Sequence, residues 1–365
     1  MRLNELTNHL ESLAPLDYQE SYDNSGLLVG SPDKEVHQAL LSLDCTEAVV
    51  QEAIESGCDV VISHHPIVFK GLKRFTGSNY VERVVMTAIK HDIALYAIHT
   101  NLDNVVGGVN SKIAERLGLR KIQILSPKAD KLCKLVVFVP LDHADPVRAA
   151  LFKAGGGVVS NYDECSFNTT GYGTFRAGEG TNPFVGTQGE QHREEEVRLE
   201  VIFPAHMERD LLRELFKAHP YEEVAYDIYR LQNSHQQVGS GAIGLLERPL
   251  AETDFLRLVK EQLNAKVIRH TALRGKPVAQ VAVCGGAGGS LLGQAIRAGA
   301  DAFVTADYKY HEFFDAEGKI IIADVGHFES EQFTQQLLLE IIQKKFPTFA
   351  VRLTGIDTNP INYYS

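Results

Sequence analysis

Polar side chains that could bind a metal ion follow the apolar runs of this sequence at several separate places. The run DVVISHH ends in His64 and His65, and Pro66 follows directly. Neighbouring side chains on a regular strand point to opposite faces. Because proline interrupts the strand ladder here, the two imidazoles can diverge and each can reach a different ion. A histidine pair alone is more often structural, so the metal interpretation depends on further ligands.

Further candidate ligands follow two other apolar runs. Asp103 lies in the loop after the run IALYAIH and can supply the carboxylate that a two-histidine site lacks. His327 and Glu331 are four residues apart at the start of a predicted helix, so their side chains share one face. The alternative for Glu331 is an acidic residue that only favours the helix dipole.

Together these strand ends predict one metal site, with the ligands His64, His65, Asp103, His327 and Glu331. In open α/β sheets, ligands bind beyond the carboxyl ends of the strands. Nitrogen and oxygen donors without a thiolate fit two divalent ions such as zinc, manganese, iron or nickel. Such a pair of ions acidifies a water molecule between them. We expect Glu331 to bridge the ions, with His64 and Asp103 on one and His65 and His327 on the other.

Other polar residues at strand ends could support this site. Asp44, Asp307 and Asp324 could accept hydrogen bonds from ligating imidazoles. Capping of helices or turns explains Asp44 and Asp324 equally well. His99 and His311 are candidates for proton transfer or substrate binding.

The glycine-rich segment CGGAGGS lies between a predicted strand and a predicted helix. It lacks the lysine of a P-loop and does not match the dinucleotide-binding pattern GxGxxG. We interpret it as a tight turn with close helix–strand packing. Phosphate binding at the following helix N-terminus is the alternative.

The order of predicted elements indicates an α/β domain that is interrupted by a second domain. Strands and helices alternate over residues 1–125 and again over 240–365, which predicts a mainly parallel sheet with helices on its faces. Residues 126–239 instead follow the order strand, helix, two strands, helix, strand. This βαββαβ order is typical of a ferredoxin-like α+β module.

Composition and charge exclude several classes of protein. The 365 residues carry a formal net charge of −11, which argues against a generally basic nucleic-acid-binding surface but leaves a local basic groove open. No apolar run approaches the ~20 residues that span a bilayer, and the N-terminus lacks the apolar segment of a signal peptide. The five cysteines are scattered without a CxxC pair, and their odd number fits reduced thiols. We therefore expect a cytoplasmic protein without membrane or nucleic-acid partners.

Five segments occur in a characteristic order: ISHHP, HTNLD, CGGAGGSL, DAFVTADYKYH and DVGHFESE. Together they resemble the Nif-three-like family, whose members are often labelled GTP cyclohydrolase type 2 homologues. The segment HPYEEVAYDIYRL makes the inserted domain similar to the PII/CutA-like domain of the longer bacterial members. The resemblance implies a dinuclear metal site at the five positions named above. It also implies a homohexamer, a toroid of two stacked trimers with the metal sites facing an internal cavity.

These patterns predict a metal-dependent hydrolase that attacks a small or nucleotide-like substrate with metal-activated water. Hydrolytic opening of the guanine ring of GTP is compatible with this chemistry, but no residue pattern selects GTP. The alternative is a non-catalytic metal-binding or metal-sensing hexamer, in which the inserted domain regulates or gates the assembly.

Overall fold

The computed structural model describes residues 1–364, and the chain forms two compact units. The first unit contains Met1–Ser126 and Gln237–Ser365, and the second is Pro127–Gln236. An α/β unit is thus interrupted by an inserted unit, for which the sequence predicts the limits 126 and 239.

Strands and helices alternate along most of the chain. The strands are β1 (Gly26–Val29), β2 (Gln38–Ser42), β3 (Val60–Ser63), β4 (Ala94–Ala97), β5 (Arg120–Lys128), β6 (Leu132–Pro140), β7 (Phe167–Arg176), β8 (Gln191–Pro204), β9 (Tyr226–Leu231), β10 (His235–Leu250), β11 (Arg269–His270), β12 (Val278–Val283), β13 (Ala302–Thr305), β14 (Ile321–Asp324) and β15 (Ala350–Leu353). The helices are α1 (Leu3–Leu13), α2 (Glu47–Glu55), α3 (Tyr80–Lys90), α4 (Thr100–Asp103), α5 (Val109–Arg116), α6 (Ala144–Lys153), α7 (Glu208–Ala218), α8 (Glu252–Gln262), α9 (Leu292–Arg297), α10 (His327–Glu331) and α11 (Thr334–Lys345). Over residues 1–364, no helix combines the length and the apolar character that crossing a bilayer requires.

The first unit contains a sheet, called sheet A, in the order β1-β4-β3-β2-β15. Its members β15, β2, β3 and β4 run parallel, and β1 is antiparallel to β4. Every residue of β3 is buried, as is typical of a central parallel strand that is covered on both faces. This burial explains why the segment before the histidine pair is continuously apolar.

The same unit contains a further sheet, sheet B, in the order β11-β14-β13-β12-β10-β5. Strands β12, β13 and β14 run parallel, whereas β10 and β11 are antiparallel to their neighbours β12 and β14. The sequence predicts one mainly parallel sheet, but the strands over residues 1–364 of this unit belong to two. The difference arises because apolar patterns identify strands, whereas strand neighbours depend on tertiary contacts.

The chain leaves sheet B at the end of β5 and returns at the start of β10, the neighbouring strand. Gly244 of β10 approaches Leu119 and Ile122, whereas Gly241 approaches Leu125. The two strands therefore run in opposite directions. Consequently, the point where the chain leaves this sheet and the point where it returns lie side by side.

The inserted unit has a ferredoxin-like fold, as the sequence predicts. Its strands form sheet C in the order β7-β8-β6-β9, and all neighbours are antiparallel. Helices α6 and α7 contribute Leu151 and Leu211 to a core that also contains Leu135 of β6 and Val201 of β8. A βαββαβ order with this packing of helices on a sheet is the split βαβ arrangement.

Candidate metal centre

The predicted metal ligands come from three segments of the first unit, and each segment follows a strand. His64 and His65 directly follow β3, and Asp103 is the last residue of α4, the short helix after β4. His327 and Glu331 begin and end α10, which follows β14. The fold brings these segments together: ring and carboxylate atoms of His65 and Glu331, 266 residues apart in the sequence, lie 3.0 Å apart.

The histidine pair lies beyond the end of its strand, because β3 ends at Ser63. The ring centroids of His64 and His65 are 4.9 Å apart, and the ring planes are inclined by 48°. His64 Nδ1 donates to the carbonyl oxygen of Ile98 at 2.8 Å. His65 Nδ1 donates to Asp44 Oδ1 at 2.8 Å. Each ring is thus anchored separately, and both rings direct Nε2 towards the same group of carboxylates.

Glu331 lies at the centre of the cluster. Its Oε2 atom is 3.0 Å from His65 Nε2 and 3.1 Å from His327 Nε2. The same oxygen is 3.9 Å from His64 Nε2, and the side chain is only 3% exposed. Burial alone would raise the pKa of this carboxyl, but the hydrogen bonds from His327 and His65 hold it well below its usual range. Glu331 is therefore an ionised carboxylate that several imidazoles share.

Two buried atoms near Glu331 lack a hydrogen-bond partner within residues 1–364. His64 Nε2 and Asp103 Oδ1 are 3.6 Å apart, and neither forms a hydrogen bond within residues 1–364. Burial lowers the pKa of His64 to about 3, so the ring is neutral and Nε2 presents a lone pair. Burial, and then the charge of Glu331, raises the pKa of Asp103 well above its usual value. Buried polar atoms are rarely left unpaired, and a divalent cation between these two would satisfy both.

Carboxylates accept hydrogen bonds from the Nδ1 atoms of His65 and His327. Asp307 Oδ2 accepts a hydrogen bond from His327 Nδ1 at 2.6 Å, just as Asp44 accepts one from His65. Burial lowers the pKa of each ring, but the bonded carboxylates, Glu331 included, outweigh it and raise the pKa to about 10 for His65 and about 9 for His327. Carboxylate–histidine pairs of this kind orient ligating rings in metal sites.

Tight turns bring the loops of sheet B close to Glu331. Asp324 accepts hydrogen bonds from the backbone N–H groups of Tyr308, at 3.0 Å, and Gly326, at 3.2 Å. It therefore shapes the turn before α10, and within residues 1–364 it accepts no hydrogen bond from an imidazole. Gly286, with φ of +59°, lies so close to Glu331 that a Cβ atom would be 2.6 Å from Oε1. The glycine-rich segment is thus needed for close packing, which is the interpretation that the sequence favours.

The glycine-rich turn is poorly suited to bind a phosphate or to supply a thiolate ligand. The N–H groups of Gly286 and Gly288 already donate to the hydroxyls of Ser330, at 2.9 Å, and Thr305, at 3.0 Å. Burial and two nearby carboxylates raise the pKa of the Cys284 thiol, which therefore stays protonated. The donor set of the cluster consists of nitrogen and oxygen atoms.

His99 faces the cluster from the loop after β4. Its ring centroid is 5.1 Å from that of His64 and 5.2 Å from that of His65. Asp23 Oδ1 accepts a hydrogen bond from His99 Nδ1 at 2.8 Å. Burial raises the pKa of Asp23, but the bonds from His99 and Thr100 hold it far below its usual range. No strand-end pattern identifies Asp23, because it lies in irregular chain before β1.

His311, the other candidate for proton transfer, lies elsewhere. It is exposed on the 3-10 helix Tyr310–Ala316, where its ring centroid is 5.2 Å from that of Tyr310 and 6.5 Å from that of Phe314. It belongs to neither group of metal-capable side chains found within residues 1–364. Its role in proton transfer stays a prediction, as does that of His99.

Two overlapping groups of side chains in the described part of the chain could hold metal ions. Within each group the ligand atoms lie within 4.8 Å of one another, and the groups are His65, His327 and Glu331, and His64, His65 and His99. Asp103 adds a carboxylate beside His64. Imidazole and carboxylate donors suit a divalent transition metal. The residues present are therefore compatible with a centre of one or two ions.

Curated proteins of similar sequence cover nearly the whole chain. A Halalkalibacterium halodurans protein is 39% identical over 361 residues, which are 97% of this chain and 96% of that protein. A Bacillus subtilis protein is 37% identical over 359 residues with the same coverage. Both carry the name GTP cyclohydrolase 1 type 2 homolog.

Two solved structures and a family model also match this chain over nearly its whole length. A Bacillus cereus protein related to NIF3 superimposes with a TM-score of 0.86 at 38% identity, over 100% of this chain and 99% of that one. A Staphylococcus aureus protein superimposes with a TM-score of 0.78 at 30% identity and the same coverage. The model described as Duf34/NIF3 (NGG1p interacting factor 3) matches residues 1–360. The chain therefore belongs to the DUF34/NIF3 family.

Proposed function

We propose that this protein is a metal-dependent hydrolase that uses two divalent ions per chain to attack a small or nucleotide-like substrate. The observation that carries the proposal is the unpartnered pair His64 Nε2 and Asp103 Oδ1, buried beside the shared carboxylate of Glu331. Zinc, manganese, iron and nickel all suit imidazole and carboxylate donors.

Glu331 would be the ligand that both ions share, because its Oε2 atom lies 3.0 Å from His65 Nε2, 3.1 Å from His327 Nε2 and 3.9 Å from His64 Nε2. His65 and His327, whose Nε2 atoms are 3.3 Å apart, would hold one ion. His64 and Asp103 would hold the other.

When bound, the ions supply the acidification of a water molecule. The protein's own residues then orient the ligands and move protons. Asp44 and Asp307 hold His65 and His327 in the orientation that directs Nε2 inward. His99, paired with Asp23, is the first candidate for proton transfer, because Asp23 fixes its Nδ1 and its ring lies 5.1 Å from that of His64 and 5.2 Å from that of His65. His311 is the second candidate.

A basic loop beside the cluster supports an anionic substrate. Residues 66–79 connect the histidine pair to α3, and Phe69 of this loop packs against His99 with ring centroids 5.6 Å apart. The loop exposes Lys70, Lys73 and Arg74, and within residues 1–364 none of these cations forms an ion pair. They stand out in a chain of net charge −11. A phosphorylated, nucleotide-like substrate, as in the relatives' name, matches this charge.

Metal analysis followed by a substrate screen tests the proposal. The metal-free protein is loaded with zinc or manganese and assayed with GTP and a panel of other nucleotides. We expect two ions per chain and turnover for the wild type, and weaker binding of one ion with loss of turnover for Asp103→Asn and for His327→Ala. His91→Ala, an exposed histidine outside the cluster, is the matched control. Full turnover without a second ion contradicts the two-metal mechanism, and metal binding without turnover favours a metal-sensing assembly.

We also propose a cytoplasmic homohexamer, which the family resemblance supports. The cysteines of the described chain are free thiols, which persist in a reducing compartment. Sedimentation equilibrium measures the assembly directly. We expect one species of six chain masses, and a monomer or dimer at micromolar concentration contradicts the hexamer.

A further inference from the structure

The C-terminal tail, residues 354–364, contacts Asp44 and Glu329, two side chains next to the proposed metal ligands. Its beginning is tied to sheet A, because the N–H of Thr354 donates to the carbonyl oxygen of Leu41 at 2.9 Å. The N–H of Gly355 donates to Glu52 Oε1 at 2.9 Å. Thereafter most tail side chains are exposed, whereas Thr358, Asn359 and Tyr363 are half-buried. These half-buried residues contact side chains next to the candidate metal centre.

Thr358 contacts the carboxylate that holds His65. Its hydroxyl donates to Asp44 Oδ2 at 2.6 Å, while Asp44 Oδ1 accepts from His65 Nδ1 at 2.8 Å. Each carboxylate oxygen thus has its own partner, which fixes the rotation of the carboxylate about its last bond. The Asp44 side chain is 32% exposed, so without Thr358 it can turn towards water.

The next tail residues contact the helix that carries the other ligands. Asn359 Nδ2 donates to Glu329 Oε1 at 3.3 Å, and the Tyr363 hydroxyl also hydrogen-bonds Glu329. Glu329 lies on α10 between His327 and Glu331. The tail therefore joins the segment after β2 to the helix after β14, the two sides from which the cluster is built.

We propose that the tail is a strap and that Thr358 is a positioning residue, which orients His65 for metal binding through Asp44. This inference rests on the proposed metal centre. Outer partners of ligating imidazoles change metal affinity by roughly 10- to 100-fold. Coupling is reciprocal, so a bound ion must strengthen docking of the tail by the same factor.

Two threonines of the same tail provide a matched comparison. Thr358→Val removes the hydroxyl that reaches Asp44, Thr358→Ser keeps a hydroxyl, and Thr354→Val removes a tail hydroxyl that bonds Glu52 instead. Zinc affinity of the metal-free, full-length proteins is measured by competition with a chromophoric chelator. We expect Thr358→Val to weaken one zinc site by roughly 10- to 100-fold, and the other two variants to stay within about threefold of the wild type.

Two further readouts separate positioning from a general loss of structure. The absorption spectrum of bound Co²⁺ reports ligand geometry, and we expect it to change only in Thr358→Val. Zinc should slow amide hydrogen exchange over residues 356–361 in the wild type but not in that variant. Wild-type affinity and spectrum in Thr358→Val overturn the inference, as does an equal loss in Thr354→Val. A wild type that binds neither zinc nor manganese, iron or nickel overturns the proposed function itself, and the strap with it.

Discussion

Asp103 and Glu331 place two carboxyl groups in the same buried site. Only Glu331 receives hydrogen bonds from neighbouring imidazoles. Glu331 accepts hydrogen bonds from His65 and His327, whereas Asp103 Oδ1 has no hydrogen-bond partner within residues 1–364. Burial and a neighbouring negative charge both disfavour ionisation of a carboxyl. The pKa of Asp103 is accordingly raised, so this side chain costs the metal-free protein stability.

We expect Asp103→Asn to stabilise the metal-free protein while it weakens metal binding. Removal of the uncompensated carboxyl should add about 1 kcal/mol to the free energy of unfolding. Loss of a ligand should lower zinc affinity by more than roughly 10-fold. Urea unfolding in a chelator and zinc competition measure the two effects, with the exposed Asp142→Asn as control. A less stable variant with unchanged zinc affinity contradicts this account.

Single residues differ in how far sequence patterns reveal them. Apolar runs mark the strand ends, so His64 and Asp103 could be predicted to lie near His327. Asp23 and Thr358 have no such signal, because both lie in irregular chain. Their partners His99 and Asp44 are 76 and 314 residues away, and only the tertiary structure relates them.

At the scale of elements, Glu82 fastens the loop between β3 and α3. Its carboxylate accepts hydrogen bonds from the backbone and hydroxyl of Thr76, at 2.8 and 2.9 Å, and of Ser78, at 3.2 and 3.1 Å. Asn79, the N-cap of α3, donates to it at 2.9 Å. The bonds from Thr76 first, and then those from Ser78, lower the pKa of Glu82 to about 2.

Stability should therefore depend on pH through Glu82. Because the folded pKa is below the ordinary value of 4.5, the contribution is fully present above that value and is lost as the pH falls towards 2. We expect Glu82→Gln to be less stable than the wild type at pH 7, with a difference that shrinks between pH 5 and pH 2.5. Urea unfolding at several pH values measures this, and the exposed Glu115→Gln should show no such trend. A constant difference would rule out the carboxylate as the cause.

The exposed cations of the same loop should act on substrate binding. We expect the triple variant Lys70→Ala, Lys73→Ala, Arg74→Ala to weaken binding of a fluorescent GTP analogue by roughly 10-fold at low salt. Metal content should not change, since none of the three is a ligand. The difference should diminish at high ionic strength because salt screens exposed charges. The control is the double variant Lys344→Ala, Lys345→Ala on the exposed end of α11. An equal loss of analogue binding in this control indicates a nonspecific charge effect.

Element types could be predicted more completely than element neighbours. Strands that end at Ser63 and Asp324, and the βαββαβ order of the insertion, follow from apolar periodicity. Periodicity misses the short helix α4, and it merges α10 with α11, which the structure separates at Gln332 and Phe333. The division of strands between sheets A and B depends on contacts between distant segments, and local patterns do not encode it.

At the scale of the whole molecule, the insertion begins and ends on neighbouring antiparallel strands of sheet B. The first unit therefore needs only a short turn to replace the inserted chain. We expect a variant in which a Gly/Ser turn replaces residues 129–234 to fold and to bind zinc as the full chain does. Circular dichroism and zinc competition measure this. An unfolded variant contradicts the independence of the first unit.

Protein groups alone anchor the inward-facing imidazoles through Nδ1: a carbonyl holds His64, and carboxylates hold His65, His99 and His327. We therefore expect a metal ion to enter and leave the proposed centre without refolding of the chain. At the proposed metal centre, the supply of each ion would then contribute to which metal is bound, because imidazole and carboxylate donors suit several divalent metals. Cells grown on different trace metals should therefore yield protein with different metals bound.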